Sequence, residues 1–281
     1  PCEKILNSSR IFCLERKREK MLKIMISPAK KMRIDDDFPE EVSLPLLLEQ
    51  TEQIMEYLQS LEPEALKEIW KCNDKLVQEN TERLKNMNLR NRLTPAVIAY
   101  EGIQYQTMAP GVMDQNSLEY LKNHLYILSG FYGILRAFDG VVPYRLEMQA
   151  KMKWQWKTLY EYWGDNLYRI LARPGDTIIN LASKEYSKAI EPWLTKEVSM
   201  ITCVFGEQEE GSCGQKMPGV KVKATAAKMA RGAMVRYMAE NQVTAPEQIK
   251  NFDWMGYRYI ENLSDSSVWV FAAEKKTKRK S

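Results

Sequence analysis

At 281 residues and 44% hydrophobic composition, the chain is long enough for one large domain or two small ones with a proper core. No apolar run approaches the roughly 18 residues of a membrane-spanning helix. Five cysteines without Cys-x-x-Cys spacing give no sign of a disulfide framework or zinc knuckle and point to a reducing cytoplasm. The formal charge of +4 belongs to the ends. Residues 1–20 carry +3 and residues 274–281 carry +4, which leaves the body, 21–273, at −3, so any nucleic-acid site has to be a local patch.

In chain order, residues 1–20 lack the apolar core of a signal peptide and read as a disordered extension. Leu22–Ile26 reads as a short buried strand ended by Ser27-Pro28. Asp35, Asp36 and Asp37 form a solvated acidic loop and are assigned no metal. Ser43 is expected to cap a helix from Leu44 to Leu61, Pro63 opens the next, and a third runs from Asp74 to Leu89. Ala96–Tyr100 and Ile103–Tyr105 flank Glu101-Gly102 as a hairpin or bulged bend. Leu118–Asn123 is helical, and His124, the single histidine, reads as a helix-end cap and not as a catalytic group. Leu125–Leu128 and Arg145–Met148 read as strands. In the second, Tyr144, Leu146 and Met148 share one face, with Arg145 and Glu147 on the other. Thr158–Ala172 is helical, Thr177–Leu181 is a strand, and Ser183 caps a short helix through Ile190. Val198–Phe205 is a strand, 206–219 a loop, and Tyr257–Ile260 and Val268–Phe271 finish as strands. The intermingling, without linker or repeat, predicts one mixed α/β domain over 21–273 around a mixed sheet, with 274–281 as a basic disordered tail.

Between Gly211 and Ala239 there is no acidic residue, yet Lys216, Lys221, Lys223, Lys228, Arg231 and Arg236 all occur. A segment of one polarity favours an anionic partner. Thr225–Asn241 reads as a helix. At about 100° per residue, Ala226, Met229, Ala230, Ala233, Met234, Tyr237 and Met238 gather as an apolar face. Lys228, Arg231, Val235 and Arg236 fall on the other side with Gly232. A helical glycine costs roughly 1 kcal/mol relative to alanine, so either an anion or a neighbouring backbone comes close there. The alternative for the whole element is an ordinary amphipathic helix with a solvated basic face.

Leu128–Asp139 reads LSGFYGILRAFD. Gly130 and Gly133, followed by Arg136, fit a helix-hairpin-helix element whose amides point at phosphate oxygens. They fit equally a turn buried under aromatics.

Several short strings then accumulate in order. They are Ser27-Pro28-Ala29-Lys30, Asp74-Lys75-Leu76, Tyr100-x-Gly102-x-x-Tyr105, LSGFYGILR and Pro143-Tyr144-Arg145-Leu146-Glu147-Met148. Asn180-Leu181-Ala182-Ser183 with Glu185-Tyr186, Lys228-x-Ala230-Arg231-Gly232 and Gly256-Tyr257 complete the series. The ordered set, covering about 21–273, resembles the YaaA family, the peroxide stress response proteins of bacteria. Two departures are Arg136-Ala137-Phe138-Asp139, where the family commonly has Arg-Pro-x-Asp, and Lys31-Met32 after Lys30. The resemblance implies a cytoplasmic protein, induced by hydrogen peroxide, that limits free intracellular iron and so reduces oxidative damage to DNA. It also implies a large mixed α/β fold with a helix-hairpin-helix-like element and a positively charged cleft. The hairpin maps to Gly130, Gly133 and Arg136, and the basic helix to Lys228, Arg231 and Arg236. It supplies no catalytic mechanism, and no cofactor is implied.

Two functions follow as expectations. In the first, Lys223, Lys228, Arg231 and Arg236, with Gly232 and the Gly130–Gly133 hairpin, bind DNA through its backbone without reading sequence. In the second, Lys30, Asp74, Lys75, Arg145, Glu147, Asn180 and Ser183 form a polar pocket with Lys228 and Arg231. An enzyme there would act on a nucleotide or other phosphorylated small molecule. Convergence of these groups in one pocket favours the second, and scatter over the surface disfavours it.

Overall fold

The computed structural model describes residues 20–35, 38, 42–152, 157–208 and 220–273. The 1–20 extension (Lys20 apart), Asp36, Asp37, Lys216 and the 274–281 tail lie outside the described residues.

The chain folds around an eight-stranded mixed sheet. Its strands are β1 (Leu22–Ile26), β2 (Leu125–Ser129), β3 (Gly133–Arg136), β4 (Thr177–Leu181), β5 (Ser199–Gln208), β6 (Val220–Lys221), β7 (Arg258–Tyr259) and β8 (Val268–Ala273). Their order is β7-β8-β5-β4-β1-β2-β3, with β6 paired to the end of β5. The five central strands, β8 to β2, run parallel, and the edges β7, β3 and β6 are antiparallel. A parallel strand is covered on both faces and therefore reads as a continuous apolar run. This is why all five residues of β1, LKIMI, are buried, Lys23 included.

Ten helices of four or more residues are found among the described residues: α1 (Leu48–Gln59), α2 (Pro63–Trp70), α3 (Asp74–Lys85), α4 (Ala96–Ala99), α5 (Ile103–Met108), α6 (Gln115–His124), α7 (Leu159–Trp163), α8 (Asn166–Leu171), α9 (Lys184–Ser187) and α10 (Ala224–Glu240). Local chemistry sets their ends. Asn73 and Asp114 accept the amides of Leu76 and Ser117 at the starts of α3 and α6. Thr158 and Glu161 form a capping box on α7. Gly164, at φ +53°, breaks the long helix expected over 158–172 into α7 and α8.

Three expectations are corrected. Ser43 caps no helix. It bridges Asp139 and receives the amide of Gly140 on its carbonyl, and α1 begins at Leu48. Residues 96–105 are not a hairpin: Ala96–Ala99 and Ile103–Met108 are helices, and only Tyr100–Glu101 is extended, against Lys31–Met32. Arg145–Met148 joins no ladder, although its alternation holds: Tyr144, Leu146 and Met148 are buried, while Arg145 and Glu147 are half-buried. The same side-chain pattern therefore arises from an extended segment resting on the core.

α10 lies between β5 and the helices α5 and α6, so it buries two sides rather than one. Val235 and Gly232, placed by periodicity on a solvated face, are buried. A Cβ on Gly232 would meet the Gln104 carbonyl oxygen at 2.0 Å and the Met108 nitrogen at 3.1 Å. The glycine thus admits the backbone of α5, and no anion takes that place.

Candidate functional site

The sheet topology creates a switch point. From β1 the chain goes to β2 on one side, then returns across β1 to β4 on the other. Loops leaving the carboxyl ends of two such strands diverge, and the crevice between them is where open α/β sheets hold ligands. Here residues just beyond the two strands are linked: Ser27 Oγ accepts the Ser183 amide at 2.8 Å and donates to Ser183 Oγ at 3.2 Å.

A cleft of about 400 Å³ opens at this edge. Ser27–Lys31 and then Ser183, Glu185 and Tyr186 follow the two strands into it, Tyr144–Glu147 and Glu101–Tyr105 supply further walls, and α10 contributes Lys228 and Arg231. Gly130 holds one wall in position, since a Cβ there would meet the Leu146 carbonyl oxygen at 2.7 Å. The cleft lining carries five cations, Lys30, Lys31, Arg145, Lys228 and Arg231, against three carboxylates, Glu101, Glu147 and Glu185.

The charges fall into two groups. Lys30 Nζ lies 2.6 Å from Glu147, and Lys31 lies 2.7 Å from Glu101. Burial raises the Glu185 carboxyl above the usual range, and the charge of Glu147 adds to the effect. Arg231 and Lys228, by contrast, have no carboxylate within ion-pair distance among the described residues. Burial pulls the Arg231 guanidinium below its ordinary value, and its Nε is buried with no hydrogen-bond partner. The ionisable side chain coupled to it is Cys203, whose thiol burial pushes up to about 12, so it offers no anion at neutral pH. The side-chain nitrogen of Gln104, a residue 7% exposed, is likewise buried and unpartnered. Two orphaned donors in one cleft are an unusual cost, because each unmade bond forfeits about 1–3 kcal/mol.

Of the residues expected in a polar pocket, Lys30, Arg145, Glu147 and Ser183 converge here with Lys228 and Arg231. Asp74 and Lys75 do not: both are exposed on α3, and Asp74 pairs with Lys67 at 2.5 Å. Asn180 is buried below the cleft, where it accepts the Ala182 amide and donates to Thr202, so it shapes the turn and does not line the space.

The expected phosphate-contacting set separates. Lys223 pairs with Glu207 at 2.6 Å, Arg236 with Glu240 at 2.7 Å, and Arg136 with Asp139 at 2.7 Å. The helix-hairpin-helix reading of Gly130–Gly133 is corrected: the flanks are the antiparallel strands β2 and β3, both glycines are buried, and the Phe131 and Tyr132 amides donate to Ser129 Oγ. Gly133, at φ +71°, packs under Trp163 and Leu167. Two helices do meet at a three-residue turn elsewhere, α2 and α3, where Lys71 adopts the left-handed conformation. Asp35 pairs with Arg33, and among the described residues no three His, Cys, Asp or Glu side chains are grouped to hold a metal. His124 Nδ1 donates to the Leu22 carbonyl oxygen at 2.6 Å, away from the cleft. No helix among the described residues is long and apolar enough to cross a membrane.

Sequence reasoning missed Gln104. Its signal, an isolated polar residue between Glu101-Gly102 and Tyr105, was hidden by reading the segment as strand.

Comparison with known proteins places the whole site within one family. The family model described as peroxide stress protein YaaA matches residues 22–263. The chain is 52% identical over 251 residues to a UPF0246 protein of Agathobacter rectalis, covering 89% of this chain and 98% of that one. It is 51% identical to a UPF0246 protein of Lachnoclostridium phytofermentans and 49% to one of Pediococcus pentosaceus, with 89% of this chain and 96% and 97% of those covered. The chain therefore belongs to the peroxide stress protein YaaA family.

Proposed function

We propose that this protein acts in the cytoplasmic response to peroxide as a phosphate-binding protein, limiting free iron and so sparing DNA. Its ligand is a nucleotide or other phosphorylated small molecule seated in the cleft at the β1–β4 switch point. The observation that carries this reading is Arg231: a guanidinium with a buried, unmade hydrogen bond and no carboxylate partner among the described residues, beside Lys228. Phosphate supplies several acceptors and the missing negative charge together. The volume suits a small molecule, since ligand pockets run from about 300 to 1,000 Å³. The cellular role rests on the family resemblance. Calorimetric titration of the full chain with pyrophosphate tests the seat. Saturable binding that weakens more than tenfold in Arg231→Ala supports it, and absence of binding by the unaltered protein refutes it.

A second reading, contact with the DNA backbone, is favoured by one observation: Lys221, on β6, and Lys228, in the first half of α10, are exposed, and no carboxylate among the described residues pairs with either. Binding of unrelated duplexes at two salt concentrations tests it, with a variant ending at Ala273 to remove the basic tail as a contributor.

A further inference from the structure

The cleft is divided electrically. Arg231 and Lys228 come from α10, whereas Glu147 and Glu185 come from the extended 144–147 wall and from α9. No ion pair joins the two groups, and the charge felt by Glu185 is that of Glu147 and Lys30. An anion alone would satisfy the α10 wall and leave the carboxylates facing it with unused acceptors. Glu185 accepts backbone amides alone among the described residues, that of Gln149 at 3.4 Å and that of Met148. An N–H donor is already visible on Glu147: the Lys30 ammonium sits 2.6 Å away, on a side chain 65% exposed.

Building on the phosphate-binding reading of this cleft, we propose that its ligand is a nucleoside monophosphate whose base carries an exocyclic amine. The phosphate sits at Arg231 and Lys228 and the amine donates to Glu147 and Glu185. Three further features fit this ligand. Five cations against three carboxylates leave a balance of +2, which matches a terminal phosphomonoester of about −1.5 to −2 at neutral pH better than the single charge of a diester. The rings of Tyr105, Tyr144 and Tyr186 line the space and give a base apolar and aromatic surface. The unpartnered Gln104 nitrogen, on a side chain 7% exposed, is a donor in search of an acceptor, which a ribose oxygen or a ring nitrogen of the base supplies. Flipped or free bases are read in this way elsewhere, by hydrogen bonds to one edge together with stacking.

The test compares AMP with IMP, and CMP with UMP, by titration calorimetry on the full chain, with inorganic phosphate as a fifth probe. Each pair differs at the position where an amine becomes a carbonyl. At least one amino nucleotide is expected to bind tenfold or more tightly than its partner. Glu185→Gln, which offers an amide donor to a carbonyl, is expected to bring that ratio close to one. Equal affinities within both pairs in the unaltered protein overturn the amine recognition while leaving the phosphate seat standing. Binding of inorganic phosphate without either kind of nucleotide overturns it as well. Failure of all five probes removes the phosphate seat itself, and this inference with it.

Discussion

Replacing Arg231 with methionine separates what the fold needs from what the ligand needs. Methionine keeps an unbranched apolar stem and removes the guanidinium. That group is held below its ordinary basicity by burial, and its Nε has no partner. Relief of one orphaned donor contributes about 1–3 kcal/mol, and no ion pair is lost in exchange, because no carboxylate partners Arg231 among the described residues. Each kcal/mol moves the melting temperature of a domain this size by roughly 2–4 °C, so Arg231→Met is expected to melt roughly 2–12 °C higher than the parent. Differential scanning calorimetry reads the shift, and titration with pyrophosphate reads the function. A more stable protein that no longer binds the anion is the expected pairing. A variant that melts at or below the parent temperature and keeps its affinity would refute the claim that this arginine is retained for a ligand.

Two other outcomes follow from individual contacts. Gly232→Ala should lower stability by about 1–3 kcal/mol, because its Cβ would stand 2.0 Å from the Gln104 carbonyl oxygen and overpacking against backbone outweighs the gain of roughly 1 kcal/mol in helix propensity; a urea midpoint above the parent's would show that α10 does not press on α5. His124 should titrate below its ordinary value, because burial disfavours the charged ring, with the nearby Lys23 charge a smaller contribution. The unfolded chain then takes up this proton first, so the stability is fully present above the unfolded value and is lost as pH falls below it toward the folded one. With one histidine in the chain, a single Hε1 resonance followed from pH 8 to 5 reads the folded value, and a midpoint at or above 6.5 contradicts it.

Much of this was legible from residue types, and the failures have common causes. The central strands announced themselves because both faces of a parallel strand are covered, giving runs such as LKIMI and TIINL. The alternation of Tyr144–Met148 revealed which side chains turn inward, but not whether the backbone pairs with a neighbour, since burial and pairing are separate demands. α10 misled periodicity in a consistent way. A helix wedged between a sheet and other helices has two buried sides, so its moment is weak, and the arc expected to meet water holds Gly232 and Val235. The cost of that error is instructive: Arg231, expected on a solvated cationic face, is drawn into the cleft wall by the same packing. Convergence of Lys30, Arg145, Glu147, Ser183, Lys228 and Arg231 is a tertiary fact that no spacing encodes. It follows from the strand order, which sends the loops after Ile26 and Leu181 to opposite sides of one crevice.

The pairing of the surface charges also bounds what DNA binding can amount to. Lys223, Arg236 and Arg136 each have a carboxylate within 2.7 Å, so a phosphate approaching them has to compete with a partner already in place. The body of the chain, at −3, adds no general attraction. Among the described cations of the basic segment, those left for a backbone are Lys221, Lys228 and Arg231. Each neutralised phosphate contributes about −0.9 to the slope of log affinity against log salt, so three give about −2.7. Binding of a 20-base-pair duplex by the variant ending at Ala273 should therefore show a slope no steeper than about −3, measured by fluorescence anisotropy between 50 and 200 mM salt. A slope near −6 or beyond would mean that the internal ion pairs open on contact and that the duplex lies along the whole of α10. That result would make the small-molecule reading of the cleft secondary.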